Sequence, residues 1–352
     1  MKKIFLLLIL SFSLFACDTF TGESSKAATG VYVVNQGNFG QNNGTITLYN
    51  LTSQAAIQDA IPNLTTLPQS LAIGATNGYI TANTSDRVDI FSLKTNARTA
   101  QVTNVPSPRY VKEANGKLYA SNLYQKSISV IDLGTNKVSK TLTVGDNPET
   151  MALVGSRLFV ANSGFGAGKT LSVVDVQTDA VTETVNLNCD GVRFVMADKQ
   201  GEIWAICNGN TVYSPDFSQI ISKSNGEVVV LNGSNGQVVK RFPLDSQCGS
   251  ASFGQDAYYA SDAEELYVVK GKNIVRFNTA TNAQAETIAI SGNEGIGGVA
   301  YDAKSQRLFI ARLDATNPYS ANGSITIHDK TGLQLGKFVA GVVPSHIEFS
   351  TN

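Results

Sequence analysis

Seven times along this 352-residue chain a five-residue strand returns. Val31–Asn35, Tyr79–Asn83, Leu118–Asn122 and Leu158–Asn162 are full copies, and weaker ones end at Cys207, Lys270 and Arg312. A unit this short cannot bury its own apolar face, so a sustained repeat forces neighbouring units to stack. Each copy follows a short strand opened in several units by proline: Pro68–Leu71, Pro108–Val111, Pro148–Met151. Behind each copy comes an alternating strand such as Ser127–Ile131 or Thr170–Val174, then a polar turn and a further strand such as Ser139–Val144. Period-two alternation with β-branched enrichment marks half-buried strands.

Four strands per unit, seven units and no sustained helical period predict an all-β chain folded as a seven-bladed β-propeller. The first unit starts directly at Val31 and lacks a leading strand. Pro344–Phe349 supplies an orphan one at the other end of the chain. A C-terminal strand pairing into blade 1 would close the ring and remove an exposed sheet edge.

Lys2 and Lys3 precede an apolar run, Ile4–Phe15, that is too short to span a bilayer and has the layout of a signal peptide. Leu14-Phe15-Ala16-Cys17 resembles a bacterial lipobox, which implies lipidation at Cys17; ordinary cleavage near Ala16 would instead leave a periplasmic protein. The expected organisation is signal peptide 1–16, lipidated tether 17–29 and propeller 30–352. Loss of Lys2 and Lys3 leaves 25 basic against 28 acidic side chains. That balance gives no attraction to nucleic acid or to anionic lipid, so membrane contact is expected through the anchor alone. Three further cysteines, Cys189, Cys207 and Cys248, predict one disulfide and one free thiol in an oxidising compartment, without choosing the pair.

The repeats resemble the tyrosine-valine-threonine-asparagine propellers of bacterial surface and periplasmic proteins. The stretches Asn35–Gly40, Asn43-Gly44, Asn322–Asp329 and Gly341–Pro344 also resemble surface propeller lipoproteins of the Bacteroidetes. That resemblance implies an outer-membrane, cell-surface lipoprotein that captures cobalamin or a ferric siderophore beside a TonB-dependent transporter.

The connections between the second and third strands of the blades (B–C) share a face with those joining successive blades (D–A). The B–C insertions run 9, 3, 4, 7, 19, 2 and 11 residues from blade 1 to blade 7. Long loops on blades 7 and 1, and on 4 and 5, predict two walls around a cleft carrying Phe39, Phe165, Tyr213, Phe217 and Tyr319. Rings among amides suit a large, uncharged, partly planar molecule; packing of these rings under their own loops is the alternative. The last residues of the repeats, Asn35, Asn83, Asn122, Asn162, Cys207, Lys270 and Arg312, are expected to ring the channel mouth. Asparagines there equally bond the next turn. Arg109 and Arg193 start their blades on the same face and are candidates for an anionic group.

Catalysis finds little support. His328 and His346 are the only histidines, too few for a histidine metal site, and no Ser/His/Asp set is evident. Asp262, Glu264 and Glu265 read as a solvated turn. Gly164–Thr170 imitates a phosphate loop, but Ser163 stands where its first glycine belongs and a strand follows. The expectation is a binding protein with no catalytic residue, cofactor or metal. Its first-choice ligand is a corrinoid, with a siderophore, a glycan or a protein partner as alternatives.

Overall fold

A computed structural model describes residues 29–351; Cys17, the signal segment and most of the tether lie outside them. Seven four-stranded antiparallel sheets form the blades of a β-propeller. Blade 1 is closed as expected: Pro344–Ser350 pairs antiparallel with Gly30–Asn35, setting Val31 opposite Phe349 and Val33 opposite Ile347. Strands A to D run from the axis outward. Blade 5 carries an extra hairpin, Thr211–Tyr213 with Ile220–Lys223, between its strands B and C.

The repeat has a physical centre. Three residues before the end of every strand B stands an aromatic ring: Tyr32, Tyr79, Tyr119, Phe159, Trp204, Tyr267 and Phe309, all buried. Each enters one of seven apolar clusters, which lie between successive blades rather than within them. One of them joins blades 5 and 6, where the rings of Trp204, Phe242 and Phe277 stand 5.1–5.9 Å apart. Burying a ring of this size contributes roughly 1.5–3 kcal/mol relative to exposure, so blade-to-blade contact is the main cohesion.

The polar turns follow one rule. An Asp or Asn ending strand C accepts backbone N–H groups of the turn, as Asp132, Asp175, Asn232 and Asn278 do. The residue four further on takes a positive φ: Asn136, Asp179, Gly236, Asn282. Short polar side chains and glycine tolerate that conformation best.

One register needs correcting. In blade 2 the residue opposite Pro68 and Arg87 is Ala82, so Ala82, not Asn83, occupies the position that Asn35 and Asn122 hold in their blades. Asn83 begins a short 3-10 turn. Aligning Tyr79 with Tyr32 and Tyr119 would have shown the slip.

Some aromatic hydroxyls also tie blades together. Tyr119 donates to Asp179 of blade 4 at 2.5 Å, and Lys117 pairs with the same carboxylate. Partial burial pushes the Asp179 carboxyl up, but these bonds outweigh it and hold it below the ordinary value. The sign follows. The contribution is complete above the unfolded carboxyl value of about 3.9 and is lost as pH falls through the lower folded value. Asp179→Asn is therefore expected to cost about 1 kcal/mol near neutral pH and to approach neutrality once the folded carboxyl is protonated. Urea unfolding at the two conditions measures this; equal costs at both would show that the ionised state contributes nothing.

Candidate functional site

The axis is lined by strands A, so its polar ring comes from the residues just inside each blade's start. Gln69, Arg109, Glu149 and Arg193 converge there. Arg109 Nε donates to Glu149 Oε2 at 2.9 Å, Arg193 Nε lies 3.4 Å from Glu149 Oε1, and Arg193 Nη1 lies 3.0 Å from Asp256 Oδ2. Gln69 Oε1 accepts from Arg109. Both arginines donate to the carbonyl of Phe253. Burial weakens the hold of the Arg193 guanidinium on its proton, but Asp256 and Glu149 outweigh it and raise its pKa above the ordinary value.

The connection from blade 5 to blade 6 thus crosses the axis and plugs it. Tyr110 donates to Gly254 O at 3.2 Å, and Gln255 N to Ser345 O at 2.7 Å. The crossing is tight. A Cβ on Gly254 would lie 2.3 Å from Ser345 O and 2.5 Å from Gly297 O, so only glycine passes.

On this floor lies a hollow of about 380 Å³ on the B–C and D–A face. Five exposed aromatic residues line it: Phe39, Tyr124, Phe165, Phe253 and Tyr319, with exposures of 93, 61, 65, 73 and 60%. Phe165 and Tyr124 are a ring pair at 6.0 Å, and the Arg193 guanidinium lies 5.5 Å from the Phe253 ring centre. Arg109 and Glu149 are the charged residues of the lining, and they are paired with each other.

The backbone beneath these rings is unusual. Among the described residues twenty non-glycine positions have positive φ, and sixteen are polar. The other four are Phe165, Phe217, Phe253 and Val343. Three of the four, Phe165, Phe253 and Val343, line the hollow. Left-handed backbone costs a bulky residue roughly 1–2 kcal/mol, a cost that glycine or asparagine would reduce or avoid.

The sequence-predicted residues divide. Phe39, Phe165, Tyr319, Asn83 and Arg109 meet at the hollow. Asn35, Asn122 and Asn162 do not: each is buried and donates its amide to two hydroxyls of strand C, such as Ser127 and Ser129 for Asn122 at 2.9 and 3.1 Å. They tie strand B to strand C within their own blade. Lys270 is held by Asp245 at 2.6 Å, and buried Arg312 by Glu294 at 2.8 Å and Ser291 O, each anchoring a neighbouring D–A connection. Arg193 is sealed in the plug. Tyr213 and Phe217 form a tilted ring pair at 6.1 Å on the hairpin, outside the hollow.

Tyr124, Glu149, Phe253 and Asp256 were not anticipated. Glu149 had a signal: it follows a blade-opening proline, as Gln69 and Arg109 do. The disulfide joins Cys189 to Cys207, and Cys248 is the free thiol, its pKa pushed up by burial. The phosphate-loop imitation is a short turn whose Lys169 pairs with Asp190 at 3.0 Å. Among the described residues no group of three or more His, Cys, Asp or Glu side chains is placed to hold a metal ion, and no helix is long and apolar enough to cross a membrane.

Fold and site together define a seven-bladed propeller with its axis plugged on one face and an aromatic hollow over the plug. The chain belongs to the family described as Domain of unknown function (DUF5074), whose model matches residues 29–337. No curated protein matches it. Among solved structures, the periplasmic gluconolactonase of Pseudomonas aeruginosa superposes with a TM-score of 0.67 at 13% identity, covering 91% of this chain and 99% of that one. Hydrazine synthase of Kuenenia stuttgartiensis gives 0.65 at 18% identity, covering 82% and 90%. A functionally unknown protein of Desulfotomaculum acetoxidans gives 0.67 at 11%, covering 92% and 99%. At these identities the likeness is one of fold, and it extends to enzymes as well as to a protein of unknown function.

Proposed function

We propose that this protein captures an uncharged organic molecule with flat apolar faces on the aromatic hollow. The observation that carries the reading is the pair of phenylalanines, Phe165 and Phe253, that hold exposed rings on left-handed backbone around one cavity. Such backbone cost at a ligand-sized hollow marks positions kept for what the ring touches. Stacking on rigid aromatic faces supplies affinity with little ordering cost. The floor is electrically balanced, with two arginines against Glu149 and Asp256. A multiply anionic ferric siderophore would find no free cation there, and Lys270 and Arg312, the residues that reading favours, are already paired.

A corrinoid is the member of this class to test first. Lipid anchoring at Cys17 on the outer-membrane surface and delivery to a TonB-dependent transporter complete the reading, and both rest on the sequence resemblance. The test is calorimetric titration of residues 18–352 with cyanocobalamin, then with ferric catecholates. One-to-one cobalamin binding, lost when Phe39, Phe165 and Tyr319 become alanine together, is the expected result. Binding of the ferric catecholates alone would reverse the charge argument. No binding of either at high micromolar concentration would sink small-molecule capture in favour of a protein-interaction scaffold.

A further inference from the structure

Beneath the plug the axis stays open. On the face opposite the hollow, where strands A end, it forms a blind cavity of about 570 Å³. Tyr110, whose hydroxyl is spent on Gly254 O, and Gln255 border its inner end. Phe194, Met151 and Met196 give the wall a ring and two soft thioethers.

The polar groups left over in this cavity are of one kind. His346 and Glu348 stand two apart on the closing strand and so share its face, while Ile347 between them packs into the cluster joining blades 7 and 1. His346 is 6% exposed, and its Nε2 lies 3.1 Å from Glu348 Oε1. A carboxylate only accepts, so Nε2 carries the proton, and in the neutral ring Nδ1 is an acceptor without a partner among the described residues. The hydroxyls of Ser70, Thr150 and Tyr259 are bonded within the protein. That of Tyr258, also in the lining, makes no hydrogen bond to a described residue. Burial raises the Tyr258 pKa, and the carboxylates of Glu348, Asp302 and Asp262 raise it further, so this phenol stays neutral in a negative field. Asp198 adds a second carboxylate to the lining, held by the Trp204 indole and two backbone N–H groups. The one lysine of the lining, Lys112, is exposed and pairs with neither carboxylate.

Rings beside a carboxylate and unfilled acceptors suit a cation, which both the ring faces and the charge attract. An anion would meet Glu348 and Asp198. A neutral molecule would cover Glu348 without supplying a counter-charge, which is costly. We infer that this cavity binds a small organic cation, its ammonium head against Glu348 and its apolar body along Phe194, Met151 and Met196. The plug separates the cavity from the hollow, so the two sites fill independently.

The methionines make the test direct, since Met151 and Met196 are the only ones beyond Met1. Residues 18–352, which hold the whole propeller, are isotope-labelled at the methionine methyls, followed by NMR and titrated with three probes of similar shape. Phenethylamine, phenethyl alcohol and phenylacetate carry a positive charge, no charge and a negative charge at neutral pH. The amine is expected to shift both methyl signals saturably, the alcohol to need a concentration on the order of tenfold higher, and the acid to leave them unmoved. Glu348→Gln keeps an acceptor for His346, and an unchanged spectrum before titration shows that it folds. It should bring the amine down to the level of the alcohol. Phe39→Ala with Tyr319→Ala strips the hollow and should leave the amine response intact, so failure of ligand capture there reads separately. An alcohol or acid as effective as the amine, an amine response indifferent to Glu348→Gln or lost with the hollow, or no response to any probe overturns the inference.

Discussion

Glu149→Ala is expected to lower the free energy of unfolding by about 3–5 kcal/mol, the scale for deleting one partner of a buried ion pair. Glu149 is buried and is the carboxylate shared by Arg109 and Arg193. Arg193 would keep Asp256, but Arg109 would keep no carboxylate, only the Gln69 side chain, the Phe253 carbonyl and the face of Tyr110. A buried guanidinium without a counter-charge costs far more than the pair contributes when intact. Chemical denaturation with an unchanged denaturant slope measures the loss. Less than about 1 kcal/mol, the scale of an exposed pair, would mean that water reaches the plug. The substitution also frees the segment that carries Phe253, so residual ligand binding should weaken through lost preorganisation.

Phe165→Gly together with Phe253→Gly is expected to separate stability from binding. Each glycine relieves left-handed backbone worth roughly 1–2 kcal/mol for a bulky residue, less the extra entropy glycine loses on folding. The rings are mostly exposed, so little burial is lost; the Phe165–Tyr124 pair and the guanidinium over Phe253 offset part of the gain. Stability should therefore hold or rise slightly. Binding at the hollow should fall at least about tenfold, since two stacking faces disappear. A drop of more than about 1 kcal/mol in stability, the size of an ordinary destabilising substitution, would assign the rings to the fold instead. Trading stability for activity in this way is the mark of a functional site.

Strand B of each blade was legible because its constraint is local. Period two and a buried aromatic ring recur wherever one sheet packs on the next, and the orphan Pro344–Phe349 strand had a single place to go. The slip at Asn83 shows the limit of that reading. Asparagine suits both a strand end and the turn beyond it, and only the buried ring of Tyr79 sets the register.

The loop face was half legible. Loop lengths located Phe39, Phe165 and Tyr319 at the hollow, because long insertions must rise somewhere and propeller connectivity leaves one face for them. Tyr124 sits on a short connection and Phe253 on one between blades, so insertion length carried no signal for either. Loop length also failed for Tyr213 and Phe217, whose insertion forms a hairpin of its own.

By itself, then, the sequence determined the blade, the number of blades and the way the ring closes, since these follow from a repeated pattern of burial along the chain. Tertiary structure alone decided which polar residues matter. Arg109, Glu149, Arg193 and Asp256 come from four blades and meet only because the ring brings strands A to a common axis. Lys270 and Arg312 pass from candidate ligand contacts to supports because their partners, Asp245 and Glu294, lie on connections between blades that the packing of the ring brings to them. Charge pairing acts over a few ångströms in space, and the spacing of residues along a chain does not record it.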